Sequence, residues 1–424
     1  MNPSGALNNN NAYNGNGAAA DCEKSQLKVD KSRNPCAHTR SVCPAQTLRK
    51  RGNKHGDAVN EKALELLFTP CPIMDYQEAI SFENLYKGLK KSTKGVMWKR
   101  SVTVYRTNGL KNTYNLRQYL LEDNYKIDNY QRFMIHEPKE REIIATRIKD
   151  RQFQRSLCDN ILYPQMTKSF IRDNCACQKG KGVDDALNRM DAHLHRYFRK
   201  HGSEGYVLKC DIRHYFAETT HEVAKAAVAK RVKDEDAKRR VFEIIDSFGE
   251  KGIGLGSQVS QLVELAVLDD FDHWVKECLH VRHYIRYMDD FILIHESKAF
   301  LKECLDKIRK KLAEIDLELN PKTGIHPLKQ GVKFLKWRFI LTASGKVIRK
   351  MCRESVVRER RKLKKLYKMV LCGERTLTQL ENSFQSWVAN AQRGNSWHVI
   401  RNMERYLKGV LNYGNCKISG TAHR

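Results

Sequence analysis

Between Val281 and His295 the apolar, β-prone residues fall in two runs around a short polar break. Tyr284, Ile285, Tyr287 and Met288 precede Asp289 and Asp290, and Phe291, Ile292, Leu293 and Ile294 follow them. This pattern predicts two strands joined by a tight turn, with both carboxylates at its tip. Tyr206–Phe216 holds a similar run, which delivers one carboxylate, Asp211, at a strand end and then an aromatic pair. Gly252–Gln261 reads as a glycine-rich turn with small polar residues, before an apolar run from Leu262. Phe133–Ile144 predicts two short strands around a turn, and Gly331–Phe339 a further hairpin. Helical spacing starts near Ser81, where Phe82, Leu85, Tyr86 and Leu89 recur. It returns over Lys346–Lys368, with Leu363, Leu366 and Tyr367 as an apolar face. A second helix pair carries Phe384, Trp387, Trp397, Ile400, Met403 and Tyr406 as expected core. Residues 1–60 lack periodicity, are rich in Asn, Gly, Ala and Lys, and predict a disordered tail with a basic part at Arg49–Lys54.

A chain of 424 residues with 41% apolar content can bury a sizeable core and predicts two or three domains. The formal net charge of +28 asks for a polyanionic partner, nucleic acid first and an anionic membrane second. No long uncharged apolar run is present, so no membrane-spanning helix is expected. The N-terminus lacks a basic-then-apolar signal, so a cytoplasmic location is expected. The 13 cysteines are odd in number and scattered, which fits reduced thiols, with Cys210 and Cys278 as small core residues. Cys36, His38 and Cys43 are metal-binding types, but no second pair completes a zinc site, and Cys175 and Cys177 are too close for one.

Two carboxylates at one tip repel each other, and a hard divalent cation such as Mg²⁺ suits their oxygens. On turn chemistry alone, an ordinary Asp-rich turn is the stronger reading. Asp211 and the glycine-rich turn change the balance. Three acidic side chains with a flexible backbone beside them are what two-metal phosphoryl transfer requires.

Taken together, YMDD, the preceding D-x-x-x-Y-F at Asp211–Phe216 and LGSQVSQ at Leu255–Gln261 resemble the palm of a bacterial, group II intron-like reverse transcriptase. The resemblance spans roughly residues 80–410. It implies an α+β right-hand polymerase: a basic tail over 1–60, fingers and an antiparallel-sheet palm over 61–345, and a helical basic thumb over 346–424. It implies that Asp211, Asp289 and Asp290 are catalytic and hold two Mg²⁺ ions, with the Ile212 carbonyl as a further ligand. Phe216 would exclude a 2′-hydroxyl. Lys139 and Arg141 would meet the incoming triphosphate, although the usual spacing between them is longer. Gly256, Ser257 and Gln258 would hold the template base and the new pair. Lys322, within LELNPKT, would protonate or attract pyrophosphate, or stand as a solvated turn lysine. Lys336 replaces the usual glycine of the primer grip and would reach the primer backbone.

Outside these motifs the resemblance assigns looser roles. Asp150, Arg151 and Gln154 are similar to a D-R-x-x-Q helix start of structural importance. QKGKGVDDAL at Gln178–Leu187 is either a nucleic-acid contact or a surface loop. Lys87, Lys90, Lys91, Lys94, Lys99 and Arg100 form either a solvated face or a template contact. Arg349, Lys350, Arg360, Arg361, Lys364 and Lys365 would follow a duplex along its phosphates, with salt-sensitive affinity. Leu255 stands where intron enzymes carry Gln and Gln261 where they carry Pro. This form resembles diversity-generating retroelement and host-defence enzymes.

The implied function is RNA-directed DNA synthesis with an RNA template, a DNA or RNA primer and deoxynucleoside triphosphates. A diversity-generating or anti-phage system would add a dedicated non-coding RNA and a small accessory protein. No membrane partner and no endonuclease domain after Tyr406 are expected. The alternatives are a non-catalytic RNA-binding splicing helper that keeps the palm as a scaffold, and a polymerase using another template or ribonucleotides, which Phe216 opposes.

Overall fold

The structure, a computed structural model, describes residues 75–136 and 140–420, with 412–420 by backbone alone. The expected tail and the Cys36–His38–Cys43 group lie outside the described residues.

Helices come first. α1 (Tyr76–Ala79) is capped by Asp75, and α2 (Phe82–Thr93) by Ser81, whose Oγ accepts from the Asn84 amide. Each cap satisfies an amide that the first helical turn leaves free. α3 (Arg100–Thr107) and α4 (Gly109–Leu121) follow. β1 (Gln131–Ile135) and β2 (Arg141–Ala145) form the expected hairpin, closing with Ile135 opposite Arg141. α5 (Ile148–Leu157) runs through one π turn, Cys158–Leu162, into α6 (Tyr163–Met166). α2 lies so close on α5 that a Cβ at Gly88 would stand 2.7 Å from the Gln152 carbonyl. Only glycine allows that approach.

α7 (Val183–His201) leads into β3 (Tyr206–Asp211) and the single-turn α8 (Tyr215–Glu218). α9 (His221–Arg231), α10 (Glu235–Asp246), α11 (Gln258–Val267) and α12 (Asp269–Glu277) come next. The expected hairpin is β4 (His283–Tyr287) and β5 (Asp290–His295), followed by α13 (Lys298–Ala313) and β6 (Gly324–Pro327). Four strands form one antiparallel sheet in the order β4-β5-β3-β6. Both of its faces are covered. Leu208, Cys210, Tyr284, Phe291 and Leu293 enter one core with α5 and α9–α13. Val207, Ile285, Ile292 and Ile294 enter a second core with α7. Two buried faces explain why these strands read as unbroken apolar runs. Each buried Leu, Ile or Phe contributes about 1.5–3 kcal/mol.

The second core also takes β7 (Val332–Phe334), β8 (Trp337–Leu341) and β9 (Val347–Met351), a separate antiparallel sheet. It is completed by α14 (Arg353–Leu371), α15 (Leu377–Ala391) and α16 (Trp397–Gly420). The α+β expectation is met, and three local expectations are corrected. The Lys346–Lys368 stretch is not helical throughout: Val347–Met351 pairs with β8, and the helix starts only at Arg353. Trp397 is 59% exposed, with Arg401 lying over its ring, rather than buried. Cys278 is exposed at the end of α12.

Candidate active site

β4 and β5 are joined by Met288 and Asp289, with Tyr287 opposite Asp290. Such a two-residue turn needs positive φ, and Met288 sits at +56° without being glycine. Its strained conformation is held from beneath. Arg286, fully buried in β4, donates from Nη1 to the Met288 carbonyl at 3.1 Å. The same guanidinium grips Asp272 of α12 through Nε at 2.7 Å and Nη2 at 2.6 Å, and Nη2 also meets the Leu265 carbonyl of α11 at 3.3 Å. Tyr284 donates its hydroxyl to the same carboxylate. On the other side the Ile212 amide donates to the Asp289 carbonyl at 3.1 Å. The turn is thereby fixed to two helices and to the end of β3.

That end carries Asp211, which stands directly opposite Asp290 in the β3–β5 register. Paired residues of neighbouring strands point to the same face, so the two carboxylates share one side of the sheet. Asn320 docks on Asp211 twice, its amide on the carbonyl at 2.7 Å and its Nδ2 on Oδ2 at 3.0 Å. Lys209, two residues before Asp211, donates to Asp290 Oδ2 at 3.3 Å and to the Lys333 carbonyl of β7 at 3.0 Å. Asp290 Oδ1 is buried and has no hydrogen-bond partner. Burial pushes this carboxyl up to about 6; Lys209 draws it down, while Asp211 and Asp289 push it further up.

The donors suit Mg²⁺: hard carboxylate oxygens, mutual repulsion and one buried oxygen left unpaired. Among the described residues, however, no three His, Cys, Asp or Glu side chains stand as a finished metal cage. Lys209 takes one oxygen of Asp290 and Asn320 one of Asp211.

Asp211 and Asp289 open into a cleft of about 720 Å³ that Ile212, Phe216, Arg132, Arg141, Gln261 and Asn320 also line. Phe216 is half-buried at the start of α8, and its carbonyl accepts from the Ile253 amide at 2.7 Å. Gly252, at φ +83°, packs so that a Cβ would lie 2.9 Å from the Ala217 carbonyl. This seats the glycine-rich turn on α8. Beyond the turn, Ser257 caps α11 and donates to Gln154 Oε1 at 2.9 Å.

Residues 136–339 match the reverse transcriptase (RNA-dependent DNA polymerase) family. The chain carries a reverse transcriptase domain. That family belongs to the nucleotidyltransferases. No curated protein matches the chain. Solved structures that resemble it include a C-terminally truncated apo telomerase from Candida tropicalis, at 14% identity and TM-score 0.42, covering 52% of this chain and 55% of that one. Another is telomerase from Candida albicans in complex with a fragment of telomeric RNA, also at 14% and 0.42, covering 66% and 55%. The chain spans about half the length of these structures.

Not every residue expected at the site reaches the cleft of the reverse transcriptase domain. Arg141 lines it. Lys139 lies outside the described residues. Gly256 and Gln258 line a separate small cleft with Arg151, Gln154 and Arg155, and Ser257 is buried beside it, while Leu255 and Gln261 face the larger cleft. Lys322 is exposed and outside the lining, although Asn320, two residues earlier, lies within it. Lys336 is exposed on the β7–β8 turn at φ +70°, which explains why glycine would be easier there.

Past the domain, Arg349 is on β9 and tied inward: it holds Asp191 at 2.5 Å, Asn188, and the Arg393 carbonyl. Lys350 is exposed on the same strand. Arg360, Arg361, Lys364 and Lys365 are exposed on α14, whose Leu363 and Tyr367 are buried. The basic-glycine turn is partly used up: Lys181 donates to the Ile171 and Asn174 carbonyls.

Sequence reasoning missed Arg286, Lys209 and Asn320. The signal for the first was present. A charge inside an otherwise apolar strand, in a chain with an unassigned Asp272, points to a buried pair.

Proposed function

We propose that the protein is an RNA-directed DNA polymerase that copies RNA into cDNA. The observation that carries this reading is the pairing of Asp211 with Asp290 across β3 and β5, with Asp289 on the adjoining turn, at a cleft large enough for a nucleotide. In the reaction the primer 3′-oxygen bonds to the α-phosphorus of a deoxynucleoside triphosphate, loses its proton, and pyrophosphate departs with the broken bond's electrons. Asp211, Asp289 and Asp290, with the Ile212 carbonyl, would hold two Mg²⁺ ions, which supply charge to the attacking and leaving oxygens.

The protein's own groups position the reactants. Arg141 and Lys139 meet the triphosphate, as guanidinium and ammonium groups suit phosphate. Phe216 packs beneath the sugar and selects against a 2′-hydroxyl. Gly256, Ser257 and Gln258 support the template, Lys322 attracts pyrophosphate, and Lys336 contacts the primer. Lys350, Arg360, Arg361, Lys364 and Lys365 follow the duplex phosphates, in a thumb assigned to 346–424, with fingers and palm assigned to 61–345.

The LGSQVSQ form supports a diversity-generating retroelement or anti-phage defence system, with a dedicated non-coding RNA and a small accessory protein, in the cytoplasm. Among the described residues no helix is long and apolar enough to cross a membrane.

The full chain, given Mg²⁺ and deoxynucleotides, is expected to extend a DNA primer on an RNA template. Asp289→Ala is expected to lower the rate at least about 10²-fold without loss of fold, a drop typical of removing one transition-state stabiliser. Extension that persists in that variant removes these carboxylates from the mechanism. RNA binding with no extension by wild-type protein favours the scaffold reading instead.

A further inference from the structure

From Lys94 to Leu121 the chain carries Lys94, Lys99, Arg100, Arg106, Lys111 and Arg117 and not one Asp or Glu. This stretch forms α3, α4 and the loop before them. α4 turns Gly109, Thr113, Leu116 and Leu120 inward. Its other side sets large apolar residues among Lys111, Asn115 and Gln118, where an outward helix face is ordinarily polar throughout. Leu110 is 60% exposed and Tyr114 56%. Trp98, just before α3, is 80% exposed, and Lys99 Nζ lies 5.3 Å from its ring centre. None of these residues lines the cleft at Asp211.

Two unfavourable features coincide here. Large apolar side chains stay in water, and six cations lie along a stretch that has no acid of its own. One kind of ligand relieves both. A single strand of nucleic acid stacks its bases on exposed rings while its phosphates take the cations. A protein partner with only an apolar stripe relieves the first feature and leaves the second. The formal charge of +28 favours the polyanion again.

We propose that the α3–α4 face docks a single-stranded stretch of RNA, apart from the cleft that holds Asp211 and Asp289. This rests on the polymerase reading only in taking RNA, rather than DNA, as the strand at hand.

The test uses the full chain and a fluorescent single-stranded oligouridine of about 20 nucleotides, with oligothymidine of equal length beside it. Each base stacked on an aromatic ring adds to the affinity, and the double variant removes two such rings. Trp98→Ala/Tyr114→Ala is therefore expected to weaken oligouridine binding roughly 10-fold or more, and to leave extension of a short pre-annealed primer–template unchanged. Wild-type protein photocrosslinked to 4-thiouridine RNA is expected to yield adducts within 94–121, a readout that does not depend on the variant folding. Affinity within twofold of wild type, or adducts confined to other segments, overturns the proposal. So does a double variant that keeps its RNA affinity but loses self-association or a bound protein, which marks the face as a protein-docking surface. Preferential loss of oligothymidine binding overturns the choice of RNA. Asp289→Ala is expected to bind oligouridine as wild type does, so a failure here and a failure of the polymerase reading are told apart.

Discussion

Arg286 has every arm of its guanidinium engaged, and none of them reaches the cleft. Its work is indirect: it neutralises the fully buried Asp272 and holds the Met288 carbonyl, so that Asp289 projects. Arg286→Met strands a buried carboxylate and is expected to cost about 3–5 kcal/mol in urea unfolding. Arg286→Met/Asp272→Leu removes both charges and is expected to regain most of that stability. Single-turnover extension is expected to stay well below wild type in the double variant, because Met288 remains unheld; full recovery of both would make the pair merely structural. Glu264 offers a pH test. It is fully buried on α11, its Oε1 has no hydrogen-bond partner, and burial raises its carboxyl to about 8. A raised folded value means stability that is complete below the unfolded value, about 4.3, and lost as pH climbs through about 8. Glu264→Gln lacks that loss. Its melting temperature relative to wild type is expected to rise between about pH 4.3 and 8 and to level off above, by calorimetry. Asp211, Asp289 and Asp290 could be singled out because each follows an apolar run that reads as a strand and because the three together resemble a known motif set. Arg286 carried a weaker signal, a charge inside an apolar strand, but its partner lies on a helix 14 positions away and no local period links the two.

The β4–β5 hairpin, β3 and the β7–β8 hairpin were readable as elements, since continuous apolar runs bounded by turn residues have few other solutions. Between Lys346 and Lys368 the reading failed at one end. Basic residues suit a helix and a strand surface alike, and only the pairing of β9 with β8 decides the start of α14. That difference moves Arg349 from an open face to the joint with α7, where Asp191 holds it. The exposed side of α14 keeps Arg360, Arg361, Lys364 and Lys365. Replacing these four with Gln is expected to flatten the salt dependence of heteroduplex binding by up to about 3 units of log–log slope. Fluorescence anisotropy across a salt series reads this directly, and an unchanged slope takes α14 off the duplex.

Over the whole molecule, a four-stranded sheet buried on both faces fixes where β3 ends and where β5 begins. Packing therefore brings together carboxylates that lie far apart along the chain, and a net positive charge draws a polyanion toward them. Whether Asp211, Asp289 and Asp290 jointly hold a divalent ion is the point on which everything else rests. Iron(II) bound in place of magnesium cuts backbone nearby when ascorbate and peroxide are added. Cuts are expected close to residue 211 and close to 289 and 290, suppressed by excess Mg²⁺ and lost in Asp289→Asn. Cuts elsewhere, or cuts at these positions that neither Mg²⁺ nor the substitution affects, contradict the account.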